Sequence, residues 1–347
     1  MSFLQLQPTD IVVSSDAVTA PAWSTGAPTL TKIVSASSVA PSFYLNAYNS
    51  ASAATISTVS PEFSIAYGHL FGSGSAAFNS LVTSSTPTRT VYGQYRTLVY
   101  GDENADFNFG SGNTTSRDIY VINVQRSDYK ESLFPGTFNL RLVSGSTQLW
   151  LTDNSNDVST VTYLDCGRAF TIVSGSNGTA TLLSPTASPT ATKGQTPSGS
   201  YGLYLPDIGT IILNPRALSL APASGGISLA VTESNGTLAP NNVVLYNSIS
   251  GSTSYSASFS LNSLETVSSD YVFIRVPNQA FNYTTNPSII SGSGALLYSS
   301  LINFPQTYIT TIGLYNSAGD LLAVAKLSKP LVKDFTKEAL IQVKLNW

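Results

Sequence analysis

The segment Ile119-Tyr-Val-Ile-Asn-Val124 constrains the fold more than any other, because five of its six residues are apolar. A run this short, bounded by Asp118 and Gln125, has the length of a strand and reads as one buried on both faces. Strand-like patterns recur downstream. Phe138, Leu140 and Leu142 alternate with Asn139 and Arg141, and Leu149, Leu151, Val161, Tyr163, Phe170 and Ile172 continue the reading. Tyr201–Leu205, Pro206–Gly209 and Thr210–Leu213 read as strand, turn and strand. In the last third, Val243–Tyr246, Ser256–Leu261 and Tyr271–Val276 are strand candidates. Ile309–Tyr315 and Leu321–Leu327 flank a Gly-containing hairpin loop, Asn316–Asp320. Pro330 is expected to interrupt, and Leu340–Leu345 forms a last alternating strand with Ile341, Val343 and Leu345 on one side.

Helical signals are few. The best in the first half lies in residues 74–101, where Thr86-Pro87 offers an N-cap followed by proline at the first helical position. Val91, Tyr95, Leu98 and Val99 then recur on one face, and Gly101 can end the helix. Ser127–Leu133, closed by Pro135-Gly136, reads as a single helical turn. The Ser/Thr/Pro/Gly-rich tract 174–200 reads as a flexible loop. Residues 1–60, with short strands at Ile11–Val13 and Phe43–Leu45, suit an extended arm that orders against a partner. No repeat of fixed period and no heptad run occurs. The fold class that follows is mainly β with a few short helices (β-rich, α+β minor), in more than one domain.

Charge narrows the function classes. Charged residues make up 10% of the 347 positions, well under half the usual share, and Ser, Thr, Asn and Gly take their place. Such a surface packs against neighbours with little charge desolvation. The net charge of −3 supplies no global field toward nucleic acid or anionic membrane, so neither is expected as a partner. The lone Cys166 excludes an intramolecular disulfide. Met1-Ser-Phe-Leu lacks the basic start and apolar run of a leader, and Gly294–Leu301 and Leu321–Leu327 are too short to span a bilayer. Assembly in a cytoplasm is therefore expected. The glycosylation-like triplets at Asn113, Asn177, Asn235 and Asn282 read as polar turns.

Catalytic patterns are thin. His69 shows no nucleophile or carboxylate partner in sequence and reads as a hydrogen-bonded structural imidazole. Cys166 lies in Asp165-Cys-Gly-Arg168, where Arg168 could lower the thiol pKa, but a small residue in or beside a buried strand is the better reading. Asp102, Asn104 and Asp106 begin like a calcium loop, yet Phe107 and Asn113 stand where Gly and Glu are needed. Asp153, Ser155 and Asp157 fail similarly at Val158 and Leu164, so both clusters read as solvated turns. No phosphate loop, dinucleotide fingerprint or nucleophile elbow occurs. The expectation is a non-enzyme with no catalytic residues, no cofactor and no metal.

One charge asymmetry stands out. Lys326, Lys329, Lys333, Lys337 and Lys344 lie in the last twenty-two residues, opposed by Asp334 and Glu338, and the chain ends in Trp347. This strip could dock an acidic neighbour. Equally, it could be a solvated face whose lysines guard a strand edge.

Several stretches carry a resemblance: Thr88-Arg-Thr-Val-Tyr-Gly-Gln-Tyr-Arg-Thr-Leu-Val-Tyr100, Asp118–Val124 with Lys130–Leu140, Phe281-Asn-Tyr-Thr-Thr-Asn-Pro287, and Tyr308–Pro330. In these the chain resembles virion structural, baseplate-wedge-like proteins of contractile-tailed bacteriophages, or myoviruses, especially those of marine cyanobacteria and some large-genome relatives. The resemblance implies a structural subunit of the baseplate or tail, delivered in the virion and contacting other virion structural subunits in an oligomeric particle. It transfers no catalytic residue. The alternatives are a receptor- or carbohydrate-binding tail-fibre module, with Trp23 and Trp150 able to stack on sugars, and a glycan-degrading enzyme using Asp102, Glu103 or Asp106. The domain organisation expected is an N-terminal arm and platform part at 1–117, a β-rich inserted domain at 118–234, and a C-terminal β part at 235–347 packing on the first.

Overall fold

The structure, a computed structural model, describes residues 4–23, 33–35, 44–49, 60–77, 81–82, 85–109, 115–181, 200–233, 240–250, 258–283 and 286–346. It is mainly β. The chain forms two compact units, residues 18–265 and residues 1–17 with 266–347.

β1 (Ile11–Pro21) opens the chain. In the larger unit, β2 (Ile33–Ser35), β3 (Tyr44–Asn49) and β4 (Phe63–His69) are antiparallel neighbours. α1 (Pro87–Tyr100) follows, with the Thr86 side chain accepting from the Arg89 N–H at 3.4 Å and Gly101, at φ 67°, donating to the Thr97 carbonyl. Its buried face is Val91, Tyr92 and Val99, whereas Leu98, expected on that face, is 45% exposed. The correction follows from geometry: at 100° per residue the buried Thr88, Val91, Tyr92 and Val99 share one arc of the helix, and Leu98 falls outside it. A side chain at Gly68 would meet the Tyr92 backbone nitrogen at 2.8 Å, so glycine lets α1 lie close on β4.

β5 (Phe107–Asn108) and β6 (Thr115–Ser116) make a small pair before β7 (Asp118–Val124), which pairs with β4 from Phe63↔Val124 to His69↔Asp118. A 3-10 turn at Arg126–Asp128 and the short β8 (Ser132–Leu133) stand where one helical turn was expected. β9 (Asn139–Ser144) and β10 (Thr147–Asp153) form a hairpin with Leu140 opposite Leu151. β11 (Thr162–Leu164) pairs with β12 (Gly167–Ser176), and β12 turns into β13 (Thr179–Ala180) at Asn177-Gly178, both at positive φ. That is the two-residue turn whose twist suits a hairpin, so the tract read as loop from 174 is strand to 180; residues 182–199 lie outside the described residues. β14 (Gly202–Leu205) and β15 (Thr210–Leu213) pair as expected, from Gly202↔Leu213 to Leu205↔Thr210.

α2 (Pro215–Ser219) and α3 (Pro240–Ser250) lead to β16 (Ser258–Ser260). α3 contains Val243–Tyr246, expected as a strand. A four-residue apolar run does not distinguish the two, and the deciding signal is the burial of Asn241, Asn242, Leu245, Tyr246 and Ile249, which follows helical spacing after Pro240.

The main sheet runs β16-β9-β10-β12-β14-β15-β7-β4-β3-β2. Its two faces feed separate cores. Phe63, Ile65, Tyr120, Ile122, Ile211 and Leu213 pack with Leu245, Ile249 and Trp23, whereas Ala66, Ile119, Val121 and Ile212 pack with Val91, Tyr92 and Val99. β7 is thus buried on both sides, as its apolar run required.

In the chain's last third, β17 (Asn262–Val276) lies between β1 and β20 (Ala339–Asn346) in strand order. Val272 faces Val343 and Ile274 faces Ile341 across that pairing. β18 (Thr307–Tyr315) and β19 (Leu321–Lys333) form a two-stranded sheet, preceded by the short α4 (Ser300–Asn303). Pro330 does not end β19: the register jumps from Thr311↔Lys326 to Ile309↔Leu331, and proline sits in the bypassed stretch where no ladder amide is required.

The boundaries differ from those expected at 117/118 and 234/235. A cut at 117/118 would separate β4 from β7, whose pairing joins them over seven positions. The inserted part spans residues 18–265.

Candidate functional site

The basic strip is not one surface. Lys326 and Lys329 are exposed on β19. Lys333 is fully buried: its ammonium donates to the Asn278 carbonyl at 3.1 Å, the Asn282 Oδ1 at 2.7 Å and the Asp334 carbonyl at 2.9 Å. All three N–H donors are used, so Lys333 cannot serve the docking role expected of it. Exposed Lys337 pairs with Asp334 at 3.2 Å. The hydroxyl and amide of Thr336 and the Lys337 charge hold the Asp334 carboxyl below its usual range. Lys344 lies over the Tyr271 ring at 5.4 Å. Trp347 lies outside the described residues.

His69 is hydrogen-bonded, as the sequence reading expected. Its Nδ1 accepts the Phe71 N–H at 3.1 Å and the Ser73 N–H at 3.3 Å, and its Nε2 lies 3.8 Å from the Glu233 carboxylate. Burial lowers its pKa against the opposing pull of Asp118 and Glu233. Cys166 goes the other way from an activated thiol, because burial pushes it up and Asp207 and Asp165 add to that. Arg168, which could have lowered it, is engaged by Asp207: its Nε reaches Oδ1 at 2.9 Å and its backbone N–H reaches Oδ2 at 2.7 Å. The Arg168 Nη2 also donates to the Ser132 hydroxyl at 3.0 Å. Nothing local in the sequence announces a pair separated by 39 positions.

Of the acidic clusters, Asp102 closes an Asx turn on the Asn104 N–H at 2.8 Å, and Glu103 and Asp106 are exposed beside it. Asp153 is not a solvated turn residue. It is fully buried and accepts the Gly136 N–H at 2.9 Å and the Ser155 N–H at 3.0 Å, while burial raises its pKa. Among the described residues, no group of three or more His, Cys, Asp or Glu side chains could hold a metal ion. Trp23, considered for sugar stacking, is buried with its ring 4.9 Å from that of Phe259. Trp150 is 42% exposed, with the Arg141 guanidinium 5.4 Å from its ring centre.

The feature that sequence reading passed over is apolar. From Tyr283 to Val332 no described residue is buried. Tyr283, Tyr298, Ile302, Phe304, Tyr308, Leu322 and Val324 are all exposed, Phe304 by 80%. Only Asp320, Lys326 and Lys329 carry charge in that span. Single exposed apolar residues are ordinary, but here many of them fall within one stretch of the chain. Its signal was available in β18, which carries no charged residue from Thr307 to Tyr315.

Compared with known proteins, the chain matches no family model, no curated protein and no solved structure.

Proposed function

We propose that this protein is a structural subunit of a contractile-tailed phage virion, in the baseplate wedge or tail, and that it acts through protein–protein contacts and performs no catalysis. The observation that carries the reading is the exposed apolar stretch from Tyr283 to Val332, which includes the β18–β19 ribbon. A two-stranded ribbon is marginal in water by itself and gains stability by packing against another surface. The scarcity of charge lowers the desolvation cost of such packing. The resemblance of Thr88–Tyr100 and Tyr308–Pro330 to baseplate-wedge-like proteins supplies the setting, with other virion subunits as partners.

The test is quantitative mass spectrometry of purified particles, with copy number taken relative to the sheath subunit. A small multiple of six places the chain in the baseplate or tail ends. Absence from the particle removes the reading. A second reading, a carbohydrate-binding tail-fibre module, is favoured by the exposed Trp150 ring. It requires glycan-array binding that Trp150→Ala abolishes.

A further inference from the structure

The stretch without buried residues is bracketed by two buried polar ones. Asn282 is 2% exposed and Lys333 is fully buried, and between them no described residue is buried. Residues 283–332 therefore bring no core of their own, and the contact between Asn282 and Lys333 closes the base of the whole excursion.

That base is held from several sides. Thr307 and Lys333 face each other across β18 and β19. The Thr307 hydroxyl donates to the Phe281 carbonyl at 2.6 Å and the Lys333 Nζ to the Asn282 Oδ1 at 2.7 Å, so the paired strand ends grip consecutive residues. Phe281 stands at φ 59°, a backbone conformation that a bulky side chain resists and that persists only where its surroundings enforce it. The Asn282 Nδ2 donates to the Asn278 carbonyl at 2.6 Å, and the same carbonyl accepts from the Lys333 Nζ at 3.1 Å. One oxygen thus holds both nitrogens, and the carboxamide cannot turn away without losing its bonds.

In chemical terms this is an amine fixed against a carboxamide. A lysine amine is a nucleophile toward carbonyl carbon, and fixed contact replaces the encounter that makes such a reaction slow in solution. The three acceptors of Lys333 are neutral oxygens, none of them a carboxylate, so its charge is buried without a counter-charge among them. Such burial is costly, and a reaction that expels the charge relieves it.

We propose that Lys333 and Asn282 join in an intramolecular isopeptide bond. Nζ bonds to the Asn282 Cγ, the Cγ–Nδ2 bond breaks, and the two protons that the Lys333 ammonium sheds depart on Nδ2 as an ammonium ion. No oxidant, reductant or further reactant is consumed. The product is a neutral amide that ties the end of β19 to the Phe281-Asn282 turn and closes residues 283–332 into a covalent loop. A ribbon without a core is then held at its base by a bond, which limits how far the excursion can open.

Mass spectrometry of the full chain, folded, incubated and then denatured, tests this. The parent is expected to be lighter than its sequence by about 17 Da, the mass of one ammonia lost when the amine displaces it. Proteolysis is expected to yield a branched peptide joining Asn282 to Lys333. Lys333→Arg keeps the charge and removes the nucleophile, Asn282→Ala removes the electrophile, and both are expected at full sequence mass. The parent's branched peptide decides the case even where a variant fails to fold. A parent chain that stays at sequence mass after prolonged incubation overturns the proposal. A loss of ammonia that persists in Lys333→Arg, with no branched peptide in the parent, overturns it as well and assigns the loss to a succinimide at an asparagine. None of these outcomes bears on whether the chain is present in particles, so the bond and the virion role fail separately.

Discussion

The Lys333 Nζ donates to the Asn282 Oδ1 at 2.7 Å, joining residues 51 positions apart within the smaller unit. A fully buried ammonium is tolerated there because three oxygens accept its three protons. Lys333→Met removes the charge but orphans those acceptors, and Asn282→Ala leaves the charge with one acceptor fewer. Each is expected to destabilise that unit by about 2–4 kcal/mol, and the double variant by less than the sum, read from denaturant midpoints.

Two glycines near α1 are expected to respond with opposite signs. Gly68→Ala drives a methyl against the Tyr92 backbone and costs about 1–3 kcal/mol. Gly93, within α1, has nothing within 4 Å of a built side chain, so Gly93→Ala stabilises by about 0.5–1 kcal/mol. Thermal unfolding of the two variants beside the parent separates close packing from simple helix propensity.

His69 is expected to remain neutral below its ordinary range. Burial lowers its folded-state pKa, so the unfolded chain takes up the proton first as pH falls. The stability contributed by the neutral ring is full above the unfolded value and is lost as pH drops through 6.5 toward the folded value. Nitrogen NMR should show a proton on Nε2 and none on Nδ1 at pH 7. Acidification should raise amide exchange at Phe71 and Ser73, the two donors to Nδ1.

Glu62 titrates in the other direction. Burial, reinforced by Asp128, raises its carboxyl from 4.5 to about 7. The folded state therefore holds the proton more tightly, and its relative stability falls as pH rises from 4.5 through about 7. Glu62→Gln is expected to stabilise at pH 8 by about 1 kcal/mol, a figure discounted for the solvent screening of a half-exposed group. The advantage should vanish at pH 4, where the wild-type carboxyl is protonated in both states. Equal gains at both pH values would exclude this origin.

Local patterns were legible wherever one local rule decided the outcome. The Thr86–Gly101 caps, the two-sided burial of β7, the Pro206–Gly209 turn and the Asn316–Asp320 loop all depend on residues within a few positions of one another. α3 was missed because four apolar residues in a row satisfy a strand and a helix alike, and packing against β9 and β4 chose the helix. The Asn177-Gly178 hairpin was legible in principle and was hidden by the Ser/Thr-rich tract around it.

The candidate site divides in the same way. Sequence by itself determined the β-rich class, the low charge and the absence of a phosphate loop, dinucleotide fingerprint or nucleophile elbow, because composition and short-range period depend only on neighbouring residues. Tertiary structure decided which lysines face solvent, which aspartates are buried and where the apolar surface lies. Lys326 and Lys333 are alike in sequence, yet one is exposed and the other is enclosed by Asn278 and Asn282. Burial is a property of what the rest of the chain places around a residue, and no local pattern encodes a neighbour 51 positions away.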